Sequence, residues 1–259
     1  MKKNDADIFT KAPDFSHDEP MNETSPEAFD KIIKNRRSVR VYTNEKVPKE
    51  VMEQVLEWGL MAPNSSNLQP WEFYWVQNPK KKSEIVEACL NQLAAKTAQE
   101  IIVCVARLDK WKHTRDDMLR LLNKDEKIPA SAKAYYEKIV PMVYSQGPLG
   151  IYGVTKKVIT SLIGIFRPIP REPTSRSDMR VWAVKSTALA CQNIMMGFSA
   201  FGFDTCPMEG LDSRRVKKTL GLGRNAEIVM IISVGKRDKK GVYGPRIRMP
   251  KEEFIKKIF

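Results

Sequence analysis

Histidine is nearly absent from this chain: His17 and His113 are the only two among 259 residues. Neither sits in a motif-bearing stretch, so a Ser–His–acid triad lacks its general base and a zinc site lacks ligands. Cysteine is sparse as well. Cys89, Cys104, Cys191 and Cys206 are widely spaced with no CxxC pair. Cys104, in a strand-like run, and Cys191, on a helical face, read as small buried hydrophobes. No protein-ligated metal is expected. P-loop, HExxH and GxSxG motifs are missing, and Asp109, Asp116 and Asp117 have no glycosidase-like partner spacing. Gly221-Leu222-Gly223 follows a helix and precedes a strand, the reverse of a dinucleotide-binding turn, and reads as a helix stop. Long apolar runs are also lacking. The run at residues 158–166 is too short to span a bilayer and is flanked by Lys156, Lys157 and Arg167. The first fifteen residues, MKKNDADIFTKAPDF, contain no apolar signal core. A cytoplasmic protein without stable membrane insertion is therefore expected.

What is present is an ordinary globular composition, 42% apolar and 29% charged, with an uneven charge. The formal net charge is +13, yet residues 1–30 carry eight acids against three lysines, leaving +18 for the remainder. Residues 236–257 hold nine bases and three acids. Such a field attracts phosphates and anionic substrates, and for most of these lysines solubility is explanation enough. No zinc finger, basic zipper or RNA-binding motif accompanies the charge, and no basic stripe alternates with aromatics, so nucleic acid is not an expected partner.

Residues 1–25 are polar and aperiodic, and read as a flexible arm ahead of one domain over 26–259. Ser25 and Pro26 predict a helix start, with Phe29, Ile32 and Ile33 on its buried face and an end near Asn35. Pro48 opens a second helix through Val51, Val55, Leu56, Gly59 and Leu60, stopping before Pro63. Residues 72–76, 101–106 and 227–234 predict strands, the second covered on both faces. Residues 80–98 read as helix in two pieces broken near Asn91, and residues 212–220 as a helix capped by Asp212 or Ser213. From 178 to 201 a helix apolar nearly all round belongs in a core or a subunit interface. Residues 107–177 are irregular, proline-rich and set with exposed-looking aromatics (Trp111, Tyr135, Tyr136, Tyr144, Tyr152, Phe166), either a lid over a pocket or a surface excursion. Three strands among many helices predict an α+β layered domain.

Three polar stretches stand out. Arg36-Arg37-Ser38-Val39-Arg40 puts three guanidiniums and a hydroxyl within five residues, donor forks suited to phosphate or simply a solvated basic turn. Residues 63–71 hold Ser65, Ser66, Asn67 and Gln69 between two prolines, a ligand clamp or a capping loop. Arg246 and Arg248 alternate and, in an extended segment, share one side. Together they suit an anionic organic ligand without choosing it.

The order of these stretches resembles the FMN-dependent nitroreductase family. Arg36-Arg37-Ser38-Val39-Arg40-Val41-Tyr42 is similar to that family's RRSxRxY/F opening. Ala62-Pro63-Asn64-Ser65-Ser66-Asn67-Leu68-Gln69-Pro70-Trp71 resembles APSSxNxQPW, with Asn64 additional or displaced. Cys206-Pro207-Met208-Glu209-Gly210 resembles the PxEG stretch, and Arg246-Ile247-Arg248-Met249-Pro250 the late phosphate-contact segment.

The resemblance implies an α+β fold with a mixed β-sheet flanked by helices, in an intertwined homodimer sharing two FMN sites. It implies Arg36, Arg37, Arg246 and Arg248 at the phosphate, Ser38 along the cofactor, and Arg40 near the ring carbonyl or N1. Ser65, Ser66, Asn67 and Gln69 would cross from the other subunit, and Asn91 would contact the ring or ribityl chain. Pro207, Met208, Glu209 and Gly210 would line the flavin, with the Glu209 and Gly210 amides near N5, where hydride arrives and leaves. The implied activity is ping-pong hydride transfer from NAD(P)H to a nitroaromatic, a quinone or a similar flat aromatic acceptor. Reductive dehalogenation, flavin modification and non-catalytic flavin binding on the same fold are the alternatives.

Overall fold

The computed structural model describes residues 20, 22–125 and 128–258. His17 and nearly all of the acidic arm lie outside these residues. Among the described residues the strands form one four-stranded sheet, in the order β1-β2-β4-β3. The strands are β1 (Trp71–Trp75), β2 (Glu100–Arg107), β3 (Asp204–Met208) and β4 (Ala226–Gly235). All three pairings between them are antiparallel. Parallel pairing enters at the β3 edge, through a bridge between Ser38 and Thr205. Three strands fall where their apolar runs predict them. β3 is an addition, and its sequence DTCPM carries a proline and an acid that mask the strand pattern.

The helices, in chain order, are α1 (Pro26–Asn35), α2 (Lys49–Leu60), α3 (Pro79–Ala88), α4 (Leu93–Lys96), α5 (Trp111–Leu122), α6 (Ala130–Ala134), α7 (Val140–Tyr144), α8 (Ile151–Phe166), α9 (Arg176–Ala200) and α10 (Ser213–Leu220). Their ends follow the sequence chemistry. The Ser25 hydroxyl accepts from the Ala28 amide with Pro26 in the first turn, and Asp212 rather than Ser213 caps α10. Gly221 takes the left-handed conformation that closes α10, confirming a helix stop there. α9 begins with a reciprocal cap: Ser175 accepts from the Asp178 amide, and the Asp178 carboxylate accepts from the Ser175 amide.

Successive residues of β2 face opposite sides of the sheet, and both sides are covered. Ile101, Val103 and Val105 pack with Ile85, Cys89, Met208 and Ile231 under α3 and α10. Ile102 and Cys104 pack with Met52, Val55, Cys191, Ile194 and Phe198 from α2 and α9. All four cysteines are buried free thiols. Burial and the neighbouring Cys191 hold the Cys104 thiol well above its ordinary range.

α2 and α9 cross at two glycines. A Cβ on Gly59 would stand 2.7 Å from Ile194 Cγ1, and one on Gly197 would stand 3.0 Å from both Trp58 and Val55. Gly59→Ala is therefore expected to destabilise the fold by about 1–3 kcal/mol through overpacking, read as a lower urea midpoint with unchanged slope.

Two expectations about burial fail. Phe29 and Ile33 are 58% and 43% exposed and Ile32 is half-buried, because among the described residues little lies against that face of α1. In the excursion, Trp111, Tyr136 and Tyr144 are buried rather than exposed. With Leu68, Met179 and Trp182 they form a core of their own against the start of α9. Tyr152 and Phe166 do remain exposed. The apolar run at 158–166 also belongs to something longer: Pro148–Phe166 is long and apolar enough, by length and composition, to cross a membrane.

Candidate functional site

The 36–42 segment is fixed from both sides. The Val39 amide donates to the Thr205 carbonyl at 3.1 Å and the Arg40 amide to the Gly241 carbonyl at 2.8 Å. Val39 is fully buried, and the buried Tyr42 hydroxyl donates to the Ser233 carbonyl at 3.1 Å. With its apolar residues buried, the segment leaves its arginines on the outer side of the β3 edge. There Arg36, Arg37, Ser38 and Arg40 line a cavity of about 230 Å³ together with Tyr243, Arg246 and Arg248.

The guanidiniums of Arg37, Arg40, Arg246 and Arg248 are held by neutral groups. Arg37 Nη2 donates to the Gly244 carbonyl at 2.6 Å. Arg246 Nη2 donates to the Lys34 carbonyl at 2.7 Å and the Arg36 carbonyl at 2.6 Å. Arg40 stacks over the Tyr243 ring at 5.2 Å. Among the described residues none of the five cavity arginines forms an ion pair with a carboxylate. Burial, followed by repulsion from Arg246, Arg248 and Arg37, pulls the Arg36 guanidinium below its ordinary range. Beside them the Thr205 hydroxyl is buried with no partner. The donor set and the uncompensated charge fit a phosphate.

β3 leads from this cavity to a second group of expected site residues. At roughly 3.3 Å per residue, the strand runs ~10 Å from Thr205 to its end at Met208. Past the strand end, Glu209 and Gly210 are exposed. Gln92 Nε2 donates to the Gly210 carbonyl at 2.7 Å, and the Asp212 amide to the Ala88 carbonyl at 2.8 Å. These bonds seat the turn between α3 and α4, where Leu90 and Asn91 have positive φ, beside Glu209-Gly210. Asn91 therefore shares this corner. Gln92, which the sequence does not single out, is the residue that ties it together.

The serine loop lies elsewhere in the chain. None of Ser65, Ser66, Asn67 and Gln69 lines the arginine cavity. Ser66, Asn67 and Gln69 have positive φ, and Asn64 Oδ1 accepts from the Gln69 amide at 2.7 Å to close the loop. Asn64 is thus the loop's internal brace. The excursion holds the hydroxyls: Ser65 to Tyr144 at 2.8 Å and Ser66 to Tyr135 at 2.7 Å. Tyr136 donates to the Ser66 carbonyl at 3.1 Å. Among the described residues no group of three or more His, Cys, Asp and Glu is placed to hold a metal.

The chain is 27% identical over 222 residues to the Bacillus subtilis (strain 168) protein YdgI, whose name is that of an NAD(P)H nitroreductase, covering 85% of this chain and 93% of that one. A nitroreductase family protein of Streptococcus pneumoniae TIGR4 shares the fold with a TM-score of 0.67 at 19% identity, covering 89% and 100% of the two chains. A structure from Exiguobacterium sibiricum 255-15, solved in complex with FMN, superposes with a TM-score of 0.62 at 24% identity, covering 92% and 99%. The Nitroreductase family model matches residues 33–236, a stretch that takes in the first arginines, the serine loop and Glu209-Gly210 and stops short of Arg246 and Arg248. By that match, and by the shared fold, this chain belongs to the nitroreductase family.

Proposed function

We propose that the chain is an FMN-dependent oxidoreductase that passes hydride from NAD(P)H to nitroaromatics, quinones or similar flat electron acceptors by a ping-pong cycle. The observation that carries this reading is the cavity holding Arg36, Arg37, Arg40, Arg246 and Arg248, with no carboxylate among the described residues paired to them. FMN, when bound, supplies a two-electron carrier. Arg36, Arg37, Arg246 and Arg248 keep N–H donors beyond those spent on carbonyls, enough to hold its phosphate. Ser38 and Arg40 extend the donor row along the segment, and Arg40 would supply positive charge to favour an anionic reduced cofactor. Pro207 and the Glu209-Gly210 backbone, steadied by Gln92 and beside Asn91, would form the wall at the reacting end, with the Met208 side chain packed in the core behind it. No nucleophile, metal or histidine base is required, and close stacking of donor and acceptor supplies orientation.

We further propose that the working unit is an intertwined homodimer. Two features support it: Ser65, Ser66, Asn67 and Gln69 do not line the arginine cavity of their own chain, and apolar side chains on and beside α1, α2 and α9 are uncovered. Trp58, Leu60, Met61, Val181, Leu189 and Phe201 are exposed alongside Phe29 and Ile33. A second copy covering this face would carry its serine loop to the neighbour's cofactor.

The deciding experiment is an absorption spectrum of the purified chain, followed by anaerobic NADPH and then NADH. A yellow preparation whose flavin bands bleach with one nucleotide, and recover when a quinone is added, is the expected outcome. A colourless chain that takes up no added FMN overturns the reading.

A further inference from the structure

α8 sits on the protein the wrong way round for a soluble helix. At 3.6 residues per turn, Ile151, Val154, Val158, Leu162 and Ile165 form one continuous stripe. Each of them is at least half exposed, and Phe166 at the helix end is 88% exposed. The opposite face, Gly153, Lys156, Thr160 and Gly164, is the one turned toward the domain. Lys156 Nζ donates to the Val143 carbonyl at 2.6 Å and the Ser145 carbonyl at 3.2 Å. Gly153 is buried so tightly that a Cβ would stand 2.2 Å from the Thr174 carbonyl oxygen. Arg171 donates to the Gly164 carbonyl at 3.1 Å. The polar side is anchored and the apolar side is presented outward.

Along the sequence through this helix the charges have one sign, with Glu137 and Glu172 just outside the stretch and Asp178 facing Lys156 on its anchored side. From Lys138 to Arg171 the chain contains Lys138, Lys156, Lys157, Arg167 and Arg171 and no acidic residue, within a protein of net charge +13. A membrane-spanning orientation is excluded by the anchoring, since Lys156 and Gly153 in the first half of α8 are fastened to the domain. An apolar stripe with basic residues beside it, and an aromatic at each end in Tyr152 and Phe166, is the pattern of a helix lying in a lipid interface.

We propose that α8 docks the protein onto the surface of an anionic lipid bilayer, with its apolar stripe entering the headgroup boundary and Lys157 and Arg167 facing lipid phosphates. The docking is independent of the redox reading: a chain that binds vesicles but no flavin leaves it intact.

The test is sedimentation of the full-length chain with vesicles of equimolar phosphatidylcholine and phosphatidylglycerol, and with phosphatidylcholine alone. Binding to the anionic vesicles that weakens as salt rises is expected. Val158→Asp with Ile165→Asp, both on the exposed stripe, should lower the partition coefficient about tenfold or more while leaving the circular dichroism melt unchanged. Lys157→Gln with Arg167→Gln should lower it several-fold on anionic vesicles only. Failure to bind anionic vesicles at low salt overturns the proposal, as does undiminished binding of the Val158→Asp/Ile165→Asp variant. A fall of that variant to a smaller oligomer in sedimentation velocity also overturns it, assigning the face to a second copy.

Discussion

Arg246→Ala combined with Arg248→Ala is expected to weaken FMN binding a hundredfold or more, read by flavin fluorescence on titration of the cofactor-free chain. Hydrogen bonds to a charged group contribute about 1.5–3 kcal/mol each, and two lost forks give roughly 3 kcal/mol or more. The two arginines differ in what else they do. Arg246 also ties the end of α1 to the late loop through the Lys34 and Arg36 carbonyls, whereas Arg248 donates to the adjacent Ile247 carbonyl. Arg248→Ala alone therefore reports on the ligand with the least structural side effect, and a loss of about tenfold is expected from it. An undiminished affinity in the double variant, with an unchanged melt, removes the phosphate assignment.

The largest effect on stability is expected from Phe198→Ala. Phe198 is fully buried, packed with Met52, Val55 and Ile194 where α2 and α9 meet the sheet. The neighbouring Gly197 already draws the helices into contact, so little slack remains to close the space left behind. Truncating a buried Phe costs about 3–5 kcal/mol, which for a chain of this size lowers the melting temperature by on the order of 10 °C. A change of a degree or two would mean that the two helices are free to collapse into the gap.

These sites differ in how far the sequence reveals them. β2 and β4 are readable because both faces are buried, which writes an unbroken apolar run. β3 is not, because Asp204 is paid for by an ion pair with Arg237 and Pro207 lies at a sheet edge, both non-local facts. Arg36, Arg37 and Arg40 stand out by local density, three guanidiniums in five residues, but density alone leaves a solvated basic turn open, and only the fold brings Arg246 and Arg248 beside them. Gln92 and Asn64 do not stand out, because their roles appear only when a turn meets Gly210, 118 positions away, or when a loop folds back on itself. The error over Trp111, Tyr136 and Tyr144 has the same origin. Part of their cover comes from Leu68, Met179 and Trp182, on elements far removed in sequence. Periodicity named an apolar face on α1 but could not say what lies against it.

Pro207 has a consequence for assembly. It brings no N–H to β3, and the adjoining 38–39 stretch already occupies the Thr205 carbonyl on that margin. An incoming strand finds no continuous row of donors and acceptors to template on. Edge-to-edge polymerisation through this margin is blocked, so copies that associate there must do so by side-chain contact.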